Sequence, residues 1–122
     1  MDYARRMNEF AAKCGLPPPE TAAGAVVIDF DGIPVSFLND ENGRALVLHA
    51  MIGEGPVGGE GDRARKMLEA NAALREKQGA VLCQDPETKT FAAIRSIPLL
   101  LADPDVLVDA VGDLVKTAAA WR

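Results

Sequence analysis

The stretch AVVIDFDGIPVSFL, residues 25–38, constrains the fold more than any other part of the chain. Asp31 and Gly32 stand there between two runs of β-branched, aliphatic and aromatic residues. A two-residue hairpin loop of type I′ needs positive φ at both central positions, which Gly adopts freely and Asp tolerates. The segment therefore predicts two antiparallel strands. NDENG, residues 39–43, is a second turn, and RALVLHAMI after it is a third strand. Strands joined by turns this short pair as antiparallel neighbours.

A helix precedes the strands. Tyr3, Met7, Phe10 and Cys14 recur at helical spacing with Arg5, Arg6, Glu9 and Lys13 between them, until Gly15 and the prolines at 17–19 stop the pattern. After GEGPVGGEG, residues 53–61, Asp62 is expected to cap a second helix. Its apolar positions are Ala64, Met67, Leu68 and Leu74, with Asn71 an exception among them. AVLCQ and KTFAAI flank DPET and form a second hairpin. Asp103 then caps a last helix with Pro104 at its first position, the favoured place for proline. Leu107, Val111, Leu114, Ala118 and Trp121 line one face of it. The order is helix, three strands, helix, two strands, helix. It predicts an α+β fold with a five-stranded, mainly antiparallel sheet, in one domain spanning residues 1–122.

The chain has 122 residues, 48% hydrophobic and 25% charged, with a formal net charge of −5. A domain of this size buries enough apolar surface to fold without disulfides or metal. Its acidity opposes nucleic acid, whose binding rests on Lys and Arg neutralising phosphates, and opposes anionic membranes. MDYARRMNEF lacks the apolar core of a secretory signal, and no apolar run approaches the roughly 18 residues of a membrane span. A cytoplasmic location and no membrane insertion are expected. Cys14 and Cys83 are far apart and His49 is the only histidine, so no zinc site from local ligand pairs is expected and both thiols are read as reduced.

Three features invite a chemical reading. Gly53, Gly55 and Gly58 have the G-x-G-x-x-G spacing, but a dinucleotide cradle requires a parallel strand–turn–helix–strand unit. With the helix starting near Asp62, the glycines sit too early. Pro56 removes a donor, Glu54 and Glu60 repel phosphate, and the loop reads as a flexible acidic connection. A Cys83–His49 pair is a conceivable nucleophile and base, yet Cys83 lies mid-strand in an apolar setting that quiets a thiol. Asp105, Asp109 and Asp113 form a stripe on the last helix, which does not wrap an ion and reads as a solvated face. No catalytic, cofactor-binding or metal-binding residue is expected, and the chain is not expected to be an enzyme. What remains unusual is the apolar content of the strands. Val26, Ile28 and Phe30 lie on one face of AVVIDF and Val27 on the other, while Leu38 joins Ser36 opposite Ile33, Val35 and Phe37. Three helices cover one face of such a sheet, so exposed apolar surface is expected.

Taken in order, these segments resemble the class I type III secretion chaperones, the Tir-chaperone-like family. The likeness covers nearly the whole chain: a first helix ending in CGL, VVIDFDGIPVSFLND, LVLHAMIG, MLEANAAL with its Leu68-x-x-Asn71 motif, GAVLCQDPETKTFAAI, and a closing helix reaching Trp121. The glycine-rich loop is longer than the usual short connection. The resemblance implies a homodimer that holds the N-terminal region of a secreted effector export-competent without ATP. It implies a two-fold interface on the second helix and a neighbouring strand, which falls here on Met67, Leu68, Asn71 and Leu74. Phe10, Phe30, Phe37, Leu38 and Met51 are the candidates for effector contact, because aromatic and Met side chains give large, adaptable contact area. Two alternatives stand beside this reading: a small regulatory or ligand-sensing dimer of similar build, and a small thiol enzyme using Cys83 and His49.

Overall fold

The structure, a computed structural model, describes residues 2–40, 43–54, 60–78 and 80–122. Helix α1 (Tyr3–Lys13) is followed by strands β1 (Ala25–Phe30), β2 (Ile33–Asn39) and β3 (Ala45–Glu54). Helix α2 (Glu60–Gln78), strands β4 (Val81–Gln84) and β5 (Thr90–Pro98), a 3-10 turn (Leu99–Leu101) and helix α3 (Pro104–Ala120) complete the chain. The predicted element order holds. The five strands form one sheet in the order β1-β2-β3-β5-β4, and every neighbouring pair is antiparallel.

Local chemistry explains the joints. Asp31 and Gly32 have φ of 53° and 88°, the positive values a type I′ turn demands, and Asp29 Oδ1 accepts a hydrogen bond from the Gly32 amide at 2.7 Å. Asp2 caps α1 by accepting from the Arg5 amide. The β4–β5 turn is held by Asp85, whose Oδ1 accepts from the Glu87 and Thr88 amides. The β3–β5 register shifts between Met51 and Gly53, where a bulge bends the end of β3 and Gly53 takes φ 108°.

Two expectations about helix starts are corrected. Helix α2 begins at Glu60, so Asp62 is not its cap but lies in its first turn, paired with Arg65 and Lys66. Asp103 is the N-cap residue of α3, yet its side chain caps nothing; its Oδ1 instead accepts from Arg6 Nη1 at 3.1 Å. The buried guanidinium outcompetes the helix amide because a charge-assisted bond is the stronger of the two.

Helices α1 and α3 pack on one face of the sheet. Met7 and Phe10 of α1 and Leu107, Val111, Leu114 and Ala118 of α3 join a core with Val35, Phe37, Leu46, Leu48, Ala50, Phe91, Ala93 and Ile97. Phe10 and Phe37 pack with ring centroids 5.2 Å apart and planes tilted by 44°, and Phe30 lies 6.4 Å from each. Tyr3 donates its hydroxyl to the Phe37 carbonyl at 2.6 Å, tying α1 to β2.

Arg6, read from sequence as part of the polar face of α1, is only 5% exposed. Its Nε donates to the Leu99 carbonyl at 2.9 Å and its Nη2 to the Leu100 carbonyl at 3.2 Å. Its Nη1 reaches both Glu9 and Asp103. The fork of guanidinium donors thereby fixes the 3-10 turn that carries the chain from β5 into α3, and it satisfies the Leu99 and Leu100 carbonyls on the turn's inner side.

Candidate effector-binding surface

The pleat sends alternate residues to the face of the sheet opposite α1 and α3, and the register aligns them in rows. One row is Ala25, Leu38, Val47 and Ser96. The next is Val27, Ser36, His49, Ile94 and Val81, one residue from every strand. Asp29 and Pro34 on β1–β2, and Met51, Ala92 and Cys83 on β3, β5 and β4, form the third. Except for Ala92, these side chains are half-buried or exposed; Val27 is 64% exposed. A pocket of about 450 Å³ opens at one side of this face, lined by His49, Met51, Cys83, Ala92 and Ile94 among others. The open face is therefore broad and mostly apolar.

The two edges of the sheet differ. At β4, Asn71 of α2 bonds both backbone groups of Leu82: its Oδ1 accepts from the Leu82 amide at 2.6 Å and its Nδ2 donates to the Leu82 carbonyl at 3.1 Å. A side-chain amide thus imitates a neighbouring strand and seals the middle of that edge, which explains the polar exception on the apolar side of α2. At β1, no strand among the described residues pairs with the outer side. A groove of about 500 Å³ runs there between β1 residues 25–29 and Leu16, Pro17, Pro19 and Glu20. The prolines offer no amide to β1, so they flank the edge without pairing along it.

The residues proposed from sequence divide accordingly. Phe10 and Phe37 are 0% exposed in the aromatic cluster, which corrects their place among partner contacts: their side chains serve the core. Phe30 is half-buried on the same helix-covered face. Leu38 and Met51 lie on the open face. On α2, Met67 is 3% exposed and packs into the core, Asn71 is engaged with β4, and Leu68 projects outward at 72% exposure. The Leu74 side chain lies outside the described residues. Beside Leu68 a smaller pocket of about 170 Å³ is walled by Ala64, Met67, Leu82 and Phe91. Val27, placed from sequence on the face of AVVIDF opposite Val26, Ile28 and Phe30 but not named there as a partner contact, is 64% exposed on the open face.

The chemical candidates fare as follows. Cys83 and His49 line one pocket, but β5 lies between their strands, which run about 9–10 Å apart, and His49 is in register with Val81 rather than Cys83, so nothing pairs them as nucleophile and base. Burial, with the Asp85 carboxylate as a smaller cause, raises the Cys83 thiol above its ordinary pKa, so it is protonated at neutral pH. Cys14 is exposed and free. Among the described residues no three His, Cys, Asp or Glu gather as metal ligands, and Asp105 pairs with Lys13. Glycines 55 and 58 of the G-x-G-x-x-G stretch lie outside the described residues; the wholly antiparallel sheet lacks the parallel unit a dinucleotide cradle needs. No helix among the described residues is long and apolar enough to cross a membrane.

Residues 5–122 match the sequence profile of the Tir chaperone protein (CesT) family. The chain belongs to that family. No curated protein matches it in sequence. Among solved structures, a chain of the ExsC–ExsE complex superposes with a TM-score of 0.83 at 22% identity, covering 99% of this chain and 94% of that one. A chain of the HopA1–SchA chaperone–effector complex gives 0.82 at 16% identity, covering 97% and 91%. The Yersinia pestis type III secretion chaperone SycH, in complex with a fragment of YscM2, gives 0.75 at 19% identity, covering 98% and 99%. At these identities the likeness is one of fold. Membership of the family and the open sheet face rest on separate observations, and they agree.

Proposed function

We infer that this CesT-family chain is a type III secretion chaperone: as a homodimer it binds the N-terminal region of a secreted effector and keeps it export-competent without a nucleotide-driven step. The observation that carries the reading is a sheet with one face and one edge left open. An extended effector segment adds to β1 as a further strand, with side chains entering the groove beside Leu16 and Pro17. An apolar effector segment continues over Val27, Leu38, Val47, Met51 and Ile94. Ordering a flexible segment costs several kcal/mol, so the contact must be large and apolar. The fold neighbours that are complexes with effectors support this role. The two-fold contact is assigned to α2, where Leu68 meets a second copy beside the pocket walled by Met67 and Leu82. Nothing in this mode of binding calls for bond chemistry at Cys83.

The test is co-purification with the first hundred or so residues of the protein encoded beside this chain's gene, the rough scale of a segment able to wrap a domain this size. Leu38→Asp and Met51→Glu are expected to abolish capture while the fold, read by circular dichroism, persists. Cys83→Ser is expected to capture as wild type does. Loss of capture in Cys83→Ser alone would replace the chaperone reading with a thiol-dependent one.

A further inference from the structure

His49 occupies the centre of the open face. It is the third of five side chains in the row Val27, Ser36, His49, Ile94 and Val81, with Val47 and Met51 next along its own strand. Its imidazole is half-buried against aliphatic neighbours and lines the pocket together with Met51, Ala92 and Ile94. Among the described residues of the strands that flank it on this face, no carboxylate stands beside it. On this face β2 offers Pro34, Ser36 and Leu38, and β5 offers Ala92, Ile94 and Ser96, none of which titrates. The groups that do titrate are remote or already engaged. Asp29 is on β1, two strands away, and accepts from the Gly32 amide. Cys83 is on β4, two strands away on the other side, and its thiol is neutral. Asp85 is exposed at the pocket rim and holds the amides of its own turn. Arg122 reaches the Met51 carbonyl and carries the wrong sign to balance a second cation.

We propose that His49 makes effector binding on this face proton-sensitive, so that a neutral imidazole accepts the apolar effector segment and a protonated one expels it. The proposal rests on the chaperone reading above and adds the condition under which cargo is held. Its physical basis is desolvation. In the free protein an imidazolium on the open face keeps its water, whereas under an apolar segment it would be buried with no partner. The complex then holds one proton fewer than the free protein, and linkage makes affinity fall as pH drops. Imidazole groups charge between pH 8 and 5, so one released proton weakens binding toward tenfold per pH unit in the lower part of that range.

The experiment measures the affinity of the same adjacent-gene segment for wild type, His49→Gln and His49→Lys at pH 7.5 and 5.5, by surface-immobilised binding, with circular dichroism confirming each fold. Wild type is expected to weaken about tenfold, His49→Gln to bind equally at both values, and His49→Lys to bind weakly at both. Equal affinity of wild type at the two pH values, or the same loss in His49→Gln, overturns the proton switch and leaves the chaperone reading intact. Absence of binding by folded wild type at pH 7.5 overturns the chaperone reading, and the switch with it.

Discussion

Replacing Asn71 tests the account of the sheet edges most directly. In Asn71→Ala the Leu82 amide and carbonyl lose their bonds to the Asn71 side chain, of 2.6 and 3.1 Å. Each buried backbone group left unmatched costs about 1–3 kcal/mol, and water entering the gap recovers part of that. The expected loss is about 2–4 kcal/mol. With a urea slope of roughly 1–3 kcal/mol per molar for a small protein, the unfolding midpoint falls by about 1–2 M. Asn71→Asp separates the hydrogen-bonding argument from simple packing. The introduced carboxylate still accepts from the Leu82 amide but faces the Leu82 carbonyl with a negative charge where a donor stood. Only its protonated form restores both bonds, so its pKa in the folded state rises above the usual Asp value of about 3.9. A raised folded pKa means the folded state binds more protons, so stability is greatest at low pH and is lost as pH climbs through that value. The deficit of Asn71→Asp relative to wild type is therefore expected to be smaller at pH 4 than at pH 7. Urea unfolding at fixed protein concentration reads both quantities. A loss below about 0.5 kcal/mol for Asn71→Ala, a scale typical of surface changes, would refute the sealed edge, as would a pH-independent deficit for Asn71→Asp.

Other expectations follow from the same geometry. Arg6→Ala is expected to lose about 2–4 kcal/mol, because the Leu99 and Leu100 carbonyls lose charge-assisted bonds, and to lower the melting temperature by about 10 °C; Arg6→Lys, a point charge that cannot span the same acceptors, should recover only part. Tyr3→Phe should cost about 1 kcal/mol by thermal unfolding, the net worth of its bond to Phe37. Cys83 should react with iodoacetamide slowly at pH 7 and faster as pH rises past the ordinary thiol range, since burial keeps it protonated; rapid labelling at pH 7 would contradict that. Leu68→Glu should shift light scattering from dimer to monomer with the fold retained, as expected for a charge placed in a two-fold contact.

The order of elements was legible because each strand and helix carries its own period and its own stop signal. Asp31-Gly32 announced the hairpin through backbone conformation alone, and Pro104 marked the first turn of α3. What alternation left undecided was which face of each strand the helices would take. Phe10 and Phe37 read as partner contacts for their size, yet large rings are also what fills a small core, and tertiary packing placed them there. Arg6 was illegible for the opposite reason. A cation at helical spacing looks solvated until a distant turn brings it the Leu99 and Leu100 carbonyls, which local periodicity does not report. The role of Asn71 likewise depends on the placement of α2 beside β4 rather than on its own neighbours in sequence.

The unequal edges also set a limit on self-assembly. A filament of sheets requires a free edge at both ends of every unit, so that β1 of one molecule can stack against β4 of the next without closure. Here Asn71 occupies the Leu82 rung of β4, which obstructs head-to-tail growth. Two molecules joined β1 to β1 make a finite pair, since the outer strands of that pair are both of the occupied kind. A molecule already carrying an extended guest on β1 has no rung to offer at all. The amide on α2 thus obstructs strand pairing at one edge of the sheet while the β1 edge stays open among the described residues.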